Sequence, residues 1–342
     1  MKAVVHIGWP KTGSSAIQDF LHLNTEALAD RGVQFRRNVA RRGSQFEYPA
    51  ATLGAAGTAH LSRQSRQRFR LRDAQDIARH HGPHLDALAD FPARHPGDLA
   101  VFSSEHISAW VRTAEAARAF DARFSAVFDE VRYVAYIRDP VDFIPSEVSE
   151  RAKRGAPVAM NQFVDHFIKT IDWSEVLLGW ADAVGRDRLD LRLLDRGQLV
   201  GGDLLVDFCH VLGVPFDGLQ QPKVDNASLT LPGLLAMRRI AEHIPAVDEQ
   251  NGGVNPRFKA TVARVIAATA NGQKLRLNAA QRERVVAGTA EWQERLRAAF
   301  FPDAPSLFAP KGDAGGMNFK AADRRAQAVV AEILADQAPA DP

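Results

Sequence analysis

The stretch HIGWPKTGSSAIQDFL, residues 6–21, constrains this chain more than any other. Residues 3–7 are a short apolar run, partly β-branched and closed by a glycine, which is the pattern of a buried strand. A helix is predicted to follow. Between the two, Gly8-Trp9-Pro10-Lys11-Thr12-Gly13-Ser14-Ser15 puts glycines where the backbone must bend tightly and small hydroxyl residues where the helix opens. The first N–H groups of a helix have no partner inside it, and its dipole adds partial positive charge at that end. A strand-loop-helix turn of this composition is therefore expected to cradle an anion such as a phosphate.

A domain must be built around that turn, and 342 residues, 46% of them hydrophobic, suffice for a sizeable core. The formal charge is only +2, from 43 basic and 41 acidic residues, so no global field points to nucleic acid or to an anionic membrane. Recognition of charge must be local. The single cysteine, Cys209, lies in an apolar run and reads as a small core residue, with no internal disulfide to form. No charged-then-apolar leader and no apolar run near eighteen residues is evident, so no integral membrane segment and a cytoplasmic location are expected.

Along the chain, strands are predicted at 33–35, 99–103, 131–137 and 188–194. Helices are predicted at 16–29, 73–91, 113–128, 161–171, 173–184 and 204–212. This alternation argues for an α/β fold whose parallel sheet is covered on both faces. Residues 36–72 read as a loop-like basic insertion. Arg36, Arg37, Arg41 and Arg42 form one cluster there, and Arg63, Arg66, Arg68, Arg70 and Arg72 another, flanking a weakly specified Ala/Gly-rich stretch at 50–59. Those arginines either balance acids elsewhere or cradle an anionic acceptor. From about residue 222 to 335 the pattern is mainly helical (231–243, 257–270, 279–300 and 319–335), and 336–342 is expected to fray. The whole is expected to form a single domain over residues 1–335.

The usual nucleotide loop, G-x-x-x-x-G-K-[ST], has its lysine directly after the second glycine. Here Ser14 stands at that position, and Lys11 leaves from the crest of the loop instead. The order Pro10-Lys11-Thr12-Gly13-Ser14-Ser15 resembles the 5′-phosphosulfate loop of sulfotransferases that use 3′-phosphoadenosine 5′-phosphosulfate (PAPS), commonly Pro-Lys-[Ser/Thr]-Gly-Thr-Thr. Ser14 and Ser15 depart from that motif but keep both hydroxyls. Arg138 and Ser146, across a strand end and the following helix, resemble the second signature of these enzymes, the site of the 3′-phosphate. An arginine fork with a hydroxyl donor suits that group. Pro145 is expected to interrupt a helix begun at Pro140 and to disturb the placement of Ser146. With Ser103-Ser104-Glu105, the Arg138-Asp139-Pro140-Val141 turn and the stretch 191–213, the chain is similar to bacterial sulfotransferase-family proteins over roughly residues 1–30, 100–155 and 170–230. Lys311-Gly312 faintly echoes a C-terminal loop that touches the 3′-phosphate in some animal members, out of register by about one residue.

The resemblance implies a P-loop NTPase-like three-layer fold, its central parallel sheet flanked by helices, with a helical C-terminal extension. It also implies transfer of a sulfuryl group from PAPS to an acceptor hydroxyl or amine. Lys11 would neutralise the leaving phosphate, with Thr12, Ser14, Ser15 and the N–H groups of the loop as further donors. Glu105 and His106, at the carboxyl end of a neighbouring strand, are both candidates for the base that takes the acceptor's proton. No metal is required by this chemistry, and the histidines show no metal-like constellation. The acceptor is left open, with a saccharide or glycolipid preferred. Two alternatives remain at this level: a P-loop phosphotransferase using ATP or GTP, which would normally need Mg²⁺, and a non-catalytic nucleotide-binding protein.

Overall fold

A computed structural model describes residues 1–36, 44–56, 72–223, 228–248, 253–312 and 316–336. In chain order its elements begin with β1 (Lys2–His6), α1 (Ser14–Leu23), α2 (Thr25–Ala29), β2 (Val33–Phe35) and α3 (Glu47–Ala55). Next come α4 (Ala74–His81), α5 (Pro83–Ala89), α6 (Phe91–Arg94), β3 (Leu99–Ser103), α7 (Glu105–Trp110), α8 (Ala114–Ser125) and β4 (Glu130–Ile137). After these lie α9 (Pro140–Lys153), α10 (Met160–Thr170), α11 (Trp173–Val184), β5 (Leu189–Leu193) and α12 (Leu204–Leu212). The chain closes with α13 (Leu231–Ile240), α14 (Pro256–Ala268), α15 (Ala279–Phe300) and α16 (Phe319–Ala335). Two compact units divide it. The first comprises Met1–Arg138, Asp172–Lys223 and Trp292–Phe308, and the second Asp139–Ile171, Val224–Glu291 and Ala309–Pro342.

The first unit holds the sheet, in the order β2-β3-β1-β4-β5, with every recorded pairing parallel. Strand β1 runs between β3 and β4, so that His6 stands opposite Ser103 on one side and Val134 on the other. Residues in register share a face of a parallel sheet. Val4, Val101, Val134 and Tyr136 accordingly face Ile17, Phe20 and Leu21 of α1 and Phe208 and Leu212 of α12. On the opposite face Phe102 meets Tyr48 of α3 at 5.3 Å between ring centroids and Phe124 of α8 at 5.0 Å, while Tyr133 meets Trp180 of α11 at 5.1 Å. Burial on both faces explains why these strands read as nearly unbroken apolar runs. The fold is a three-layer α/β fold, an all-parallel five-stranded sheet flanked by helices.

Several boundaries differ from expectation, each for a local reason. The helix expected at 73–91 is three helices, because Pro83 and Pro92 each sit in the first turn of a new one and lack the N–H that would continue the last. The helix expected at 16–29 starts at Ser14 and breaks at Asn24. The Asn24 amide donates to the Phe20 carbonyl at 2.9 Å and exchanges two bonds with the backbone of Gln220. Of the stretch read as weakly specified, residues 50–56 are described and residues 57–59 lie outside the described residues. Residues 50–55 belong to α3, which is buried from Glu47 to Gly54, and its small residues permit close packing: a Cβ on Gly54 would lie 2.8 Å from Ile77.

In the second unit, α9 runs straight through Pro145, contrary to expectation. Proline forfeits one backbone bond there, yet the helix is anchored at its start by Pro140 and by the Asp139 carboxylate, which accepts the Val141 N–H at 2.8 Å. Farther along, Ser149 Oγ accepts the Leu229 N–H at 2.8 Å. Of the basic clusters, Arg37, Arg41, Arg42, Arg63, Arg66, Arg68 and Arg70 lie outside the described residues. Arg72 is described, and it pairs with Asp76 at 3.4 Å.

Candidate anion site at the sheet's carboxyl edge

The loop between β1 and α1 is built from left-handed backbone. Gly8 (φ 62°), Lys11 (φ 59°) and Gly13 (φ 85°) all have positive φ, and among the described residues Lys11 is the non-glycine that does so. The crest lysine thus occupies a conformation that costs a residue with a Cβ ~1–2 kcal/mol. The turn closes on the Trp9 carbonyl, which accepts the hydroxyls of Thr12 at 2.7 Å and Ser14 at 3.3 Å. Those two protons are spent inside the loop, and Ser15 is its exposed hydroxyl. Among the described residues no side chain caps α1, whose N-cap is Gly13. Its first N–H groups are therefore available to an anion. Trp9 is buried and packs edge-to-face on Trp173 at 6.0 Å, and Trp173 in turn meets Trp292 at 5.1 Å.

The turn after β3 lies directly against this loop. A Cβ on Gly8 would fall 2.6 Å from the Glu105 Cα and 2.8 Å from its nitrogen, so only glycine permits the approach. Backbone bonds fix it further: Ser104 N–H donates to the His6 carbonyl at 3.2 Å and Ser108 N–H to that of Ile7 at 3.0 Å. Glu105 opens α7 and is exposed, whereas His106 is half-buried. The His106 Nδ1 lies 3.4 Å from both Ser104 Oγ and Ser44 Oγ, with its ring 4.6 Å from that of Trp110 and 5.9 Å from that of Phe46. Ser44 and Phe46 come from the segment read as a basic loop, and no sequence signal marks them.

On the other side of β1, Arg138 directly follows β4. It is half-buried, and its guanidinium makes no hydrogen bond or ion pair with any described residue. Loop, Glu105-His106 turn and Arg138 thus stand at the carboxyl ends of three adjacent parallel strands, β1, β3 and β4. Open α/β sheets bind ligands at that edge. Ser146 is half-buried on α9, in the second unit. Also in the second unit, Lys311 pairs with Asp139 at 3.1 Å and with Asp142. Burial pushes the Asp139 carboxyl up against the pull of Lys311.

One residue below the loop, His6 is fully buried, its Nδ1 2.8 Å from Ser103 Oγ and its ring edge-on to Tyr136 and Phe208. Its Nε2 has no hydrogen-bond partner among the described residues. Burial lowers its pKa to about 3, so it stays neutral. It is a core residue, and no group of three or more metal-ligating side chains exists among the described residues. Nor is any described helix long and apolar enough to cross a membrane.

Fold and site together define an α/β protein with an all-parallel sheet and a lysine-crested glycine loop after its central strand. No protein-family profile matches the chain, and no curated protein matches it. Among solved structures, it is similar to a sulfotransferase domain from the curacin biosynthetic pathway, with 11% identity, a TM-score of 0.37, and coverage of 85% of this chain and 97% of that one.

Proposed function

We propose that the protein is a PAPS-dependent sulfotransferase. The observation that carries this reading is the convergence at one sheet edge of a helix N-terminus and a guanidinium, that of Arg138, neither of which is capped or paired by a described side chain, with the crest lysine Lys11. A donor of this kind carries two separated anionic groups, and these residues suit both. The uncapped α1 terminus and Lys11 would hold the 5′-phosphosulfate, and Arg138 the 3′-phosphate that distinguishes PAPS from an ordinary adenylate.

When bound, the donor supplies an activated sulfuryl group. An acceptor oxygen or nitrogen would form the new bond to sulfur as the bond from sulfur to the phosphate oxygen breaks. Lys11 would neutralise the charge left on that phosphate. The acceptor's proton would pass to a base on the Glu105-His106 turn, which Gly8 holds against the loop. A saccharide or glycolipid hydroxyl is the preferred acceptor.

Thermal unfolding with adenosine 3′,5′-bisphosphate, ATP or GTP, each with and without Mg²⁺, tests the reading. Free ligand at a hundredfold excess over Kd should stabilise by ~2.7 kcal/mol. Stabilisation by the bisphosphate without Mg²⁺ is expected. Stabilisation by ATP or GTP with Mg²⁺ but not by the bisphosphate would overturn the reading in favour of phosphoryl chemistry.

A further inference from the structure

We infer that Trp9 is a positioning residue: its buried indole seats the loop between β1 and α1, so that Lys11 and the first N–H groups of α1 meet the 5′ end of the donor already in place. This rests on the sulfuryl-transfer reading above. Of residues 8–11, Gly8 has no side chain, Pro10 is exposed and Lys11 is half-buried, and Trp9 is the one whose side chain enters the core. Its carbonyl is also the point on which the turn closes, accepting the Thr12 hydroxyl at 2.7 Å and the Ser14 hydroxyl at 3.3 Å. Thr12 and Ser14 are themselves buried. One residue thus holds the loop twice, through its ring and through its carbonyl.

The seat is built from two helices. Trp173, at the start of α11, meets the Trp9 ring edge-to-face at 6.0 Å and the ring of Trp292 on α15 at 5.1 Å. The start of α11 is fixed by the Asp172 carboxylate, which accepts the Ser174 N–H at 2.8 Å and the Ser174 hydroxyl at 2.6 Å. Three residues beyond Trp292, and so on the same side of α15, Arg295 Nε–H donates to Ser174 Oγ at 2.9 Å and the guanidinium pairs with Asp172. A contact between ring edges and faces draws on aromatic area and geometry. The Trp9 Nε1–H meets no hydrogen-bond partner among the described residues, so a phenyl ring keeps what the indole contributes here. The loop needs such a seat because left-handed backbone at Lys11 is unfavourable for a residue with a Cβ and persists where its surroundings over-determine it. The two hydroxyl bonds and the wedged ring are surroundings of that kind. A catalytic group displaced by about 1 Å can lose ~10²-fold in rate, which is what a relaxed loop would forfeit.

Backbone ¹³C shifts of Lys11 in the full chain report its conformation without any ligand. They should show left-handed backbone in the wild type, move toward conformationally averaged values in Trp9→Ala, and stay in place in Trp9→Phe. Titration with adenosine 3′,5′-bisphosphate and with adenosine 3′-monophosphate, which lacks the 5′ anion, then reads the consequence. The advantage of the bisphosphate over the monophosphate should shrink about tenfold in Trp9→Ala and hold in Trp9→Phe, while the monophosphate binds all three proteins alike, because the 5′ contact alone passes through the loop. Trp9→Leu keeps apolar burial without a ring edge and should show both losses, so it replaces Trp9→Ala if that variant does not fold. Unchanged Lys11 shifts, an unchanged advantage of the bisphosphate, or equal loss of both nucleotides in the folded variant overturns the proposal. Failure of the sulfotransferase reading shows separately, as absence of binding of either nucleotide by the wild type while the Lys11 shifts still respond to Trp9.

Discussion

Arg138→Ala separates ligand binding from folding more cleanly than other changes at the site. Its guanidinium is half-buried and bonded to no described residue, so removing it breaks no ion pair with any of them, and the stability of the free protein should change by no more than ~0.5 kcal/mol. A lost hydrogen bond to a charged group costs roughly 1.5–3 kcal/mol. At 1.4 kcal/mol per decade, Kd for adenosine 3′,5′-bisphosphate should therefore rise about tenfold to a hundredfold. Adenosine 5′-phosphosulfate lacks the 3′-phosphate, and its Kd should hardly move. Arg138→Lys keeps the charge but loses the fork and should fall between. Isothermal titration of both ligands, with urea unfolding of the free variants, checks each part. Equal loss for the two ligands would refute the assignment of Arg138 to the 3′-phosphate, and a large loss of stability would show that the guanidinium serves the fold.

Three further outcomes are expected. Lys11→Ala should lower kcat by ~10²–10³ while PAPS affinity falls less, since a lysine on the leaving group acts mainly in the transition state; Lys11→Gly should be equally inactive yet about 1 kcal/mol more stable than Lys11→Ala, because it relieves the left-handed position. Gly8→Ala should destabilise the protein by more than the ~1–2 kcal/mol of its positive φ, as its Cβ would overlap the backbone of Glu105, and an unchanged melting temperature would contradict that packing. His6→Leu should flatten the acid dependence of stability. With a folded pKa of about 3 against the ordinary 6.5, the unfolded chain takes up a proton between those values that the folded protein does not. Wild-type stability should fall by about 1.4 kcal/mol per pH unit on this account as pH drops through that window, and parallel urea midpoints for the two proteins from pH 6.5 to 4 would refute a buried neutral His6.

Much of the first unit could be read from local pattern alone. The β1 strand, the glycine loop and the start of α1 are specified within about twenty residues, because bending, capping and strand burial are short-range effects. The strands at 33–35, 99–103 and 131–137 were legible for the same reason, being apolar runs buried on both faces. Boundaries failed where a long-range contact prevailed. Asn24 stops a helix through its bonds to Gln220, and α3 is helical although its Ala/Gly composition carries a weak local signal, because it packs closely on α4.

By itself, the sequence determined which groups are available: a lysine-crested loop, a Ser-Ser-Glu-His strand end and an arginine after the longest strand. It could not determine which of them are neighbours, because strand order depends on nonlocal pairing. Only the tertiary structure places β1 between β3 and β4, bringing the loop beside Glu105, His106 and Arg138 across about ninety residues of chain or more. It likewise brings Ser44 to His106, from a segment with no distinguishing pattern, because the Gln45 amide and backbone complete the hydrogen bonds at the end of β3. Unpaired backbone groups at a strand end are costly when buried, and that cost, which no local pattern reports, decides where residue 44 lies.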